Sequence, residues 1–130
     1  QKYLNRRVKY LRNPISFLKN KKLNFSIQLA GNKEIKLLNK KFRKKSKSTD
    51  VLSFPYNNLN TLKKLKKKDI YLGDIILNYY KIKKKNFKEN FNKLWIHGFL
   101  HLVGYKHKKN NDYYKMNKLE KLIFSKIQKK

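Results

Sequence analysis

Residues 23–30 read LNFSIQLA, and this stretch decides the predicted fold. Apolar and polar side chains alternate along it, which predicts a β-strand with one buried face. The apolar positions of that face are Leu23, Phe25, Ile27 and Leu29. Gly31 and Asn32 then turn the chain, and Asn32 is expected to cap a helix. That helix would carry its apolar side chains at Ile35, Leu38 and Phe42.

Two further strands are predicted downstream of this unit. Residues 51–54 form a short apolar run that ends at Pro55, which is typical of a brief or edge strand. Residues 70–78 have the composition of a third strand. Gly73 within that run indicates a bulge or a close approach of another backbone.

Helical spacing of apolar residues marks the remaining ordered parts of the chain. The predicted helices cover residues 3–18, with a break or a fresh start at Pro14, residues 79–104, and the segment from Asp112 onward. The predicted basic, solvated loops are residues 43–48 and 57–69. The resulting order α-β-α-β-β-α-α predicts an α+β fold in which helices surround one short mixed sheet. We expect a single domain over residues 1–130, since this length suits one ordinary domain.

The charge of the chain is strongly unbalanced. Against 7 acidic residues there are 36 basic ones, 32 Lys and 4 Arg, which gives a net charge of +29. Such a charge favours a polyanionic partner such as RNA, DNA or an acidic membrane surface. However, 16 Asn and a single Ala accompany the lysines, and an AT-rich coding sequence produces the same skew. The charge therefore leaves open both a nucleic-acid surface and compositional drift.

Composition also excludes several classes of function. The chain has no cysteine, which rules out disulfides, thiol catalysis and cysteine-ligated metals. No apolar run approaches the roughly 18 residues that span a bilayer, and no apolar segment near the N-terminus resembles a signal peptide. We therefore expect a soluble cytoplasmic protein without a membrane partner.

The three histidines of the chain, His97, His101 and His107, lie within eleven positions. Helical residues four apart share a face, so the first two imidazoles are predicted to lie one turn apart. Gly104 suits the left-handed residue that ends a helix, and a reversal there would bring His107 toward the pair. Three neutral imidazoles with an open fourth position make a catalytic zinc site. Histidines that merely pack in the core are the alternative, but this clustering favours a metal centre on a helix of the C-terminal half.

The same HxxxH spacing occurs in zinc peptidases, where a glutamate after the first histidine acts as general base. Here that position is Gly98, so peptide hydrolysis would lack its proton acceptor. Phosphodiester cleavage depends less on such a base, because a metal ion and a group that binds phosphate charge can suffice. The residues therefore favour a nuclease over a peptidase.

Three blocks of the sequence resemble those of one known family. Residues 97–107, HGFLHLVGYKH, resemble the HGxLHLxGYDH signature of the YbeY family, bacterial metal-dependent endoribonucleases of ribosomal RNA maturation. Residues 39–43 (NKKFR) and 49–55 (TDVLSFP) resemble the family's NxxYR and TDVLSFP blocks. Residues 72–75 resemble its LGDI strand. The blocks occur in the family's order, and the resemblance covers nearly the whole chain.

The resemblance implies which residues form the site. The family's metal ligands correspond to His97, His101 and His107, which would hold one zinc ion. The resemblance also implies a catalytic role for His97. The family's essential arginine falls on Arg43, where a guanidinium would contact phosphate in a bidentate manner. Without the family context, Arg43 would be interpreted as a solvated loop cation.

Some positions are assigned less specific roles, and one departs from the family. Thr49, Asp50 and Ser53 are expected to shape the turn and strand that line the cleft. Asp74 is either a carboxylate that supports a metal ligand or relays a proton, or a buried structural hydrogen-bond acceptor. Lys106 stands where the family has Asp; if that Asp orients a ligand imidazole, its loss weakens metal affinity about 10–100-fold. If the position faces solvent, nothing changes.

The resemblance implies a zinc-dependent, single-strand-specific endoribonuclease of ribosomal RNA maturation and ribosome quality control. The expected partners are single-stranded RNA, precursor ribosomal RNA and the small ribosomal subunit, with no DNA. The alternative is a non-catalytic RNA- or ribosome-binding assembly factor with a structural metal. Structural zinc sites are normally closed by four protein ligands, so a set of three favours the enzyme.

Overall fold

A computed structural model of the chain describes residues 15–44, 49–82, 84–106 and 110–128. Its strands are β1 (Lys22–Ala30), β2 (Val51–Pro55) and β3 (Asp69–Asn78). Its helices are α1 (Asn32–Arg43), α2 (Leu59–Lys64), α3 (Phe87–Leu102) and α4 (Asn110–Gln128). Two short 3₁₀ turns cover Ser16–Leu18 and Tyr79–Lys81. The predicted N-terminal helix before residue 15 lies outside the described residues.

The three strands form one mixed sheet in the order β1-β3-β2. β1 pairs with β3 in parallel, and β2 pairs with β3 in the antiparallel sense. Among the described strands β2 therefore forms an edge, as the proline at its end predicts.

A bulge in β3 interrupts the alternation of its side chains. The register with β1 shifts so that Asn24 pairs with Tyr71 while Phe25 pairs with Gly73. Gly73 has a φ of +138°, and a Cβ at this position would collide with the carbonyl oxygen of Phe54. The predicted bulge is confirmed. Its consequence is that Tyr71 and Asp74, three residues apart, reach the same side of the sheet.

The two faces of the sheet are covered by different helices. α3 packs on one face and α4 packs on α3, around a core in which Trp95 and Phe99 are fully buried. The Trp95 Nε1–H donates to Oδ1 of Asn92 at 2.9 Å, so the one polar group of the indole is satisfied inside that core. α1 packs on the opposite face through a small cluster of Ala30, Ile35 and Leu52.

Three local predictions are wrong. The helix predicted from residue 79 begins only at Phe87, after the 3₁₀ turn Tyr79–Lys81. Gly31, not Asn32, is the N-cap of α1, and the side chain of Asn32 instead accepts a hydrogen bond from Asn78 Nδ2 at 2.5 Å. Residues 57–69 are not wholly a loop, because α2 forms within them. Asn58 caps this helix by accepting a hydrogen bond from the backbone N–H of Thr61 at 2.8 Å, and Leu62 is buried beneath it. The lysines around α2 are exposed, as predicted.

The α+β prediction, a short mixed sheet with helices around it, is confirmed. In the part of the chain that the structure describes, no helix has both the length and the apolar surface needed to cross a bilayer. The domain boundary at residues 1–130 stays a prediction.

Candidate functional site

His97 and His101 share one face of α3, as their spacing predicts. Their Nε2 atoms are 3.1 Å apart, and the two ring planes stand at 79°. Two nitrogens that each lie about 2.0–2.1 Å from a tetrahedral zinc ion are about 3.3 Å apart. The separation of the two imidazoles therefore fits a shared ion.

The outward nitrogen of each imidazole has a hydrogen-bond partner. Nδ1 of His101 lies 2.9 Å from the carbonyl oxygen of Tyr105, and because a carbonyl only accepts, this nitrogen carries the hydrogen. Nδ1 of His97 lies 2.7 Å from Oε1 of Glu120, and a carboxylate favours the same tautomer. With both hydrogens on Nδ1, the lone pairs of the two Nε2 atoms face each other. A proton shared between the two nitrogens relieves this repulsion, and so does a metal ion held between them.

Glu120 is the functional residue that the sequence reasoning missed. It belongs to α4, whose apolar face includes Met116 and Ile123, so the carboxylate is carried on a face otherwise used for packing. Only 7 acidic residues occur in the chain, and one among the apolar positions of a helix is the signal that could have identified it. A cleft opens beside it, lined by His97, Tyr113, Met116, Asn117 and Glu120.

Gly104 sets the orientation of His101 by ending α3. Its φ is +100°, the left-handed conformation that the sequence predicts. The N–H of Tyr105 donates to the carbonyl of Leu100 at 3.0 Å and the N–H of Gly104 donates to that of His101 at 3.1 Å, the pair of bonds that defines a Schellman motif. This reversal turns the Tyr105 carbonyl back toward the His101 ring. Burial raises the pKa of the Tyr105 phenol above 10.0.

Gly98 allows α3 to approach the sheet closely beside the histidine pair. A Cβ at this position would lie 2.7 Å from Cγ2 of Ile75 and 3.2 Å from Cγ2 of Val51. The Ser53 hydroxyl donates to the Gly98 carbonyl at 2.9 Å, which ties the helix to β2. The position at which zinc peptidases carry glutamate thus faces the sheet and has no room for one, so the peptidase interpretation loses its remaining support.

The other two predicted site residues are not tested by this geometry. His107 lies outside the described residues, and Arg43 is the last residue of α1, with only its backbone described. Across residues 15–44, 49–82, 84–106 and 110–128, no three histidine, aspartate or glutamate side chains converge in a way that could hold a metal. The three-histidine centre, its zinc ion and the role of Arg43 therefore stay predictions.

The secondary positions behave as structural residues where they are described. The carbonyls of Thr49 and Asp50 accept hydrogen bonds from Asn78, at 3.1 and 2.8 Å, which fixes the turn that leads into β2. Asp74 accepts hydrogen bonds from Ser26 and Tyr71, so of its two predicted roles the structural one is observed.

Lys106 is exposed. The partners that orient His97 and His101 come from elsewhere, Glu120 and the Tyr105 carbonyl. The substitution at this position therefore leaves the orientation of both these imidazoles intact.

The chain is similar to known proteins of one family. A family model described as Endoribonuclease YbeY matches residues 1–128. The chain is similar to an endoribonuclease YbeY of Pelagibacter ubique, with 45% identity over 135 residues, 98% of this chain and 84% of that protein. It is 36% identical to one of Ehrlichia canis over 108 residues, 78% of this chain and 66% of that protein.

The fold is also found among solved structures. The solution structure of a Thermotoga maritima protein aligns with a TM-score of 0.54 at 23% identity, over 98% of this chain and 85% of that one. At this identity the likeness shows the fold alone. The match of the family model over almost every residue carries the assignment further: the chain belongs to the YbeY family of endoribonucleases.

Proposed function

We propose that this protein is a zinc-dependent endoribonuclease that cleaves single-stranded RNA in ribosomal RNA maturation and ribosome quality control. The observation that carries the proposal is the pair of imidazoles on α3, whose Nε2 atoms face each other while both Nδ1 atoms are held by acceptors. Membership of the family supplies the reaction class. Precursor ribosomal RNA and the small ribosomal subunit are its proposed partners, in the cytoplasm, with residues 1–130 acting as one catalytic domain.

The proposed metal site consists of His97, His101 and His107. When bound, zinc acts as a Lewis acid that polarises a phosphoryl oxygen and lowers the pKa of water. Glu120 and the Tyr105 carbonyl keep the first two imidazoles in the tautomer that presents Nε2. With three protein ligands, the fourth position is left to water or substrate, which is the arrangement of catalytic rather than structural zinc.

Arg43 is the proposed phosphate ligand. It ends α1, where Lys44 terminates the helix in a left-handed conformation with φ of +57°. Negative charge builds on the non-bridging phosphate oxygens during cleavage, and a planar guanidinium can donate two parallel hydrogen bonds to them. The lysines near it cannot reproduce that geometry.

The proposal is tested by metal analysis combined with RNA cleavage. The purified protein should hold about one zinc per chain, cleave a single-stranded RNA, and leave the matching duplex and the single-stranded DNA of the same sequence intact. A chelator should abolish cleavage and added zinc should restore it. Cleavage that persists without metal, or that acts equally on duplex, would contradict the proposal.

Arg43→Lys is the sharper variant, with Lys36→Ala as its control, since Lys36 is an exposed lysine of the same helix. Arg43→Lys should lose most of the cleavage rate with an unchanged unfolding curve, and Lys36→Ala should retain it. Full activity of Arg43→Lys would place Arg43 among the solvated cations of the surface.

A further inference from the structure

Four aromatic rings line the part of the sheet that α1 leaves uncovered. Phe42 and Phe54 pack edge to face with centroids 5.2 Å apart, and Tyr56 and Tyr71 do the same at 5.8 Å. Phe42, Tyr56 and Tyr71 are 57%, 73% and 42% exposed, although the other face of the sheet is buried. We call this surface, Phe42, Phe54, Tyr56 and Tyr71, the aromatic face. Adjacent exposed rings of this kind indicate an interaction site.

Phe54 and Tyr71 belong to strands, Tyr56 directly follows β2, and Phe42 belongs to α1. Phe54 and Tyr56 are two residues apart, so alternation sends both side chains to the face that α1 occupies. The bulge at Gly73 brings Tyr71 to the same face, where its hydroxyl donates to Asp74 Oδ1. The Ser26 hydroxyl donates to the same oxygen at 2.5 Å. Strand pairing and these hydrogen bonds set the position of Tyr71 without a ligand, which lowers the entropy cost of binding there.

Basic side chains border the aromatic face on one side. Lys40, Lys41 and Lys44, at the end of α1, are all exposed, and Lys41 Nζ lies 5.4 Å from the centroid of the Phe42 ring. Asp74 is the one carboxylate described within the face, and it is engaged by two hydroxyls. A ligand that fits this layout presents flat apolar groups to the rings and negative charge to the lysines.

The aromatic face and α3, the helix that carries the histidine pair, lie on opposite sides of the edge strand β2. In β2, Ser53 points toward α3 and donates to Gly98, the neighbour of His97, whereas the next residue, Phe54, points to the aromatic face. A flexible polyanion can therefore pass around the edge strand from one side to the other.

We propose that the aromatic face is a base-stacking platform for single-stranded RNA, which holds nucleotides next to the one being cleaved. The inference rests on the proposed function and adds a location for the substrate. Single-stranded RNA is bound in proteins by stacking unpaired bases on aromatic rings while lysines follow the phosphates. The edge-to-face pairs leave ring surface exposed for this purpose.

The experiment measures binding of a fluorescent oligoadenylate to the metal-loaded protein by anisotropy, with the recovered RNA checked for cleavage. Tyr56→Ala and Phe42→Ala should each weaken binding about 5- to 100-fold, the range seen when one stacking ring is removed. Tyr56→Phe should bind like the wild type and Tyr56→Leu should not, because only the former keeps the ring. An abasic oligomer with the same phosphates should bind wild type and Tyr56→Ala equally.

Tyr114→Ala is the matched control, since Tyr114 is also 73% exposed but belongs to α4. It should change affinity by no more than about twofold. Lys41→Gln should instead reduce the salt dependence, by about 0.7 in log–log slope for a lost phosphate contact.

Two results separate this inference from the function on which it rests. If the wild type cleaves RNA but Tyr56→Ala and Tyr114→Ala bind alike, the platform is wrong and the nuclease stands. The same holds if Tyr56→Leu binds as tightly as Tyr56→Phe, because the surface then suits an apolar protein partner. If the wild type neither binds nor cleaves single-stranded RNA, both proposals fail together.

Discussion

The two faces of the sheet use aromatic residues in opposite ways. On the face covered by α3, Trp95 and Phe99 are fully buried, and the indole N–H is satisfied internally. On the other face, Phe42 and Tyr56 remain more than half exposed. The first face packs against α3, the helix that carries the histidine pair, while the second leaves ring surface in contact with water. A single three-stranded sheet therefore separates α3 from the aromatic face.

The largest expected effect comes from breaking the histidine pair. His101→Ala should lower zinc affinity more than about 100-fold, since loss of an outer hydrogen-bond partner alone costs 10–100-fold. Competition with a chromophoric chelator measures this, and oligoadenylate binding to the aromatic face should persist. Zinc affinity equal to that of the wild type would remove His101 from the metal site.

Loss of the Glu120 carboxylate should have the next largest effect, again confined to the histidine face. Glu120→Gln should weaken zinc binding about 10-fold and Glu120→Ala about 100-fold, because the His97 ring loses a charged acceptor. The spectrum of the cobalt-substituted protein should shift in both variants. Glu89→Gln is the control, since Glu89 pairs with Lys93 at 3.3 Å on the surface of α3. An unchanged chelator titration for Glu120→Ala would show that the contact is only structural.

Overpacking the interface between α3 and the sheet should destabilise the fold itself. Gly98→Ala places a methyl group against Ile75 and Val51, at a cost of about 1–3 kcal/mol in the free energy of unfolding. Gly31→Ala is the comparison variant: its Cβ would meet only the ring of Tyr80, at 3.3 Å, so it should cost less, up to about 1 kcal/mol for the change at the N-cap of α1. Urea unfolding of the two variants measures the difference, and equal midpoints would contradict the close approach.

The smallest effect concerns Tyr71 on the aromatic face. The hydrogen bond to Asp74 raises the pKa of the Tyr71 phenol above 10.0. The neutral phenol is therefore favoured by folding, and its contribution is fully present below about pH 10 and lost as the pH rises through the higher folded value. Tyr71→Phe should flatten part of the fall in stability above pH 10, whereas Tyr80→Phe should not. Identical alkaline unfolding profiles for the wild type and Tyr71→Phe would show that the hydrogen bond does not contribute.

The sequence predicts this fold well where the signal is local. Alternation identified β1, Pro55 marked the end of β2, and two glycines, Gly73 and Gly104, marked a bulge and a helix end that both require unusual φ values. The helix α2 escaped prediction because Leu62 is its only buried residue and lysines surround it. The N-cap residue of this helix, Asn58, lies in a polar stretch whose composition is typical of a loop.

The candidate site was predictable only in part, for a related reason. The spacing of His97 and His101 is a property of one helix, so sequence alone places them together. Glu120 reaches His97 from a different helix, 23 positions along the chain, and no local period relates the two. The aromatic face likewise depends on the pairing of β2 with β3 and on the bulge in β3. Both involve residues of two separate segments, so no single stretch of sequence predicts them.

The close contact at Gly98 also limits what this scaffold can become in evolution. A zinc peptidase needs a glutamate directly after its first histidine, and the codon for glycine is often one base change from that for glutamate. On this helix the change would aim a carboxylate into Ile75 and Val51 rather than toward the metal. A single amino-acid change would therefore supply the glutamate of a peptidase, but the packing of α3 leaves no room for its side chain. A lineage that keeps this packing of α3 on the sheet retains HxxxH without the peptidase base.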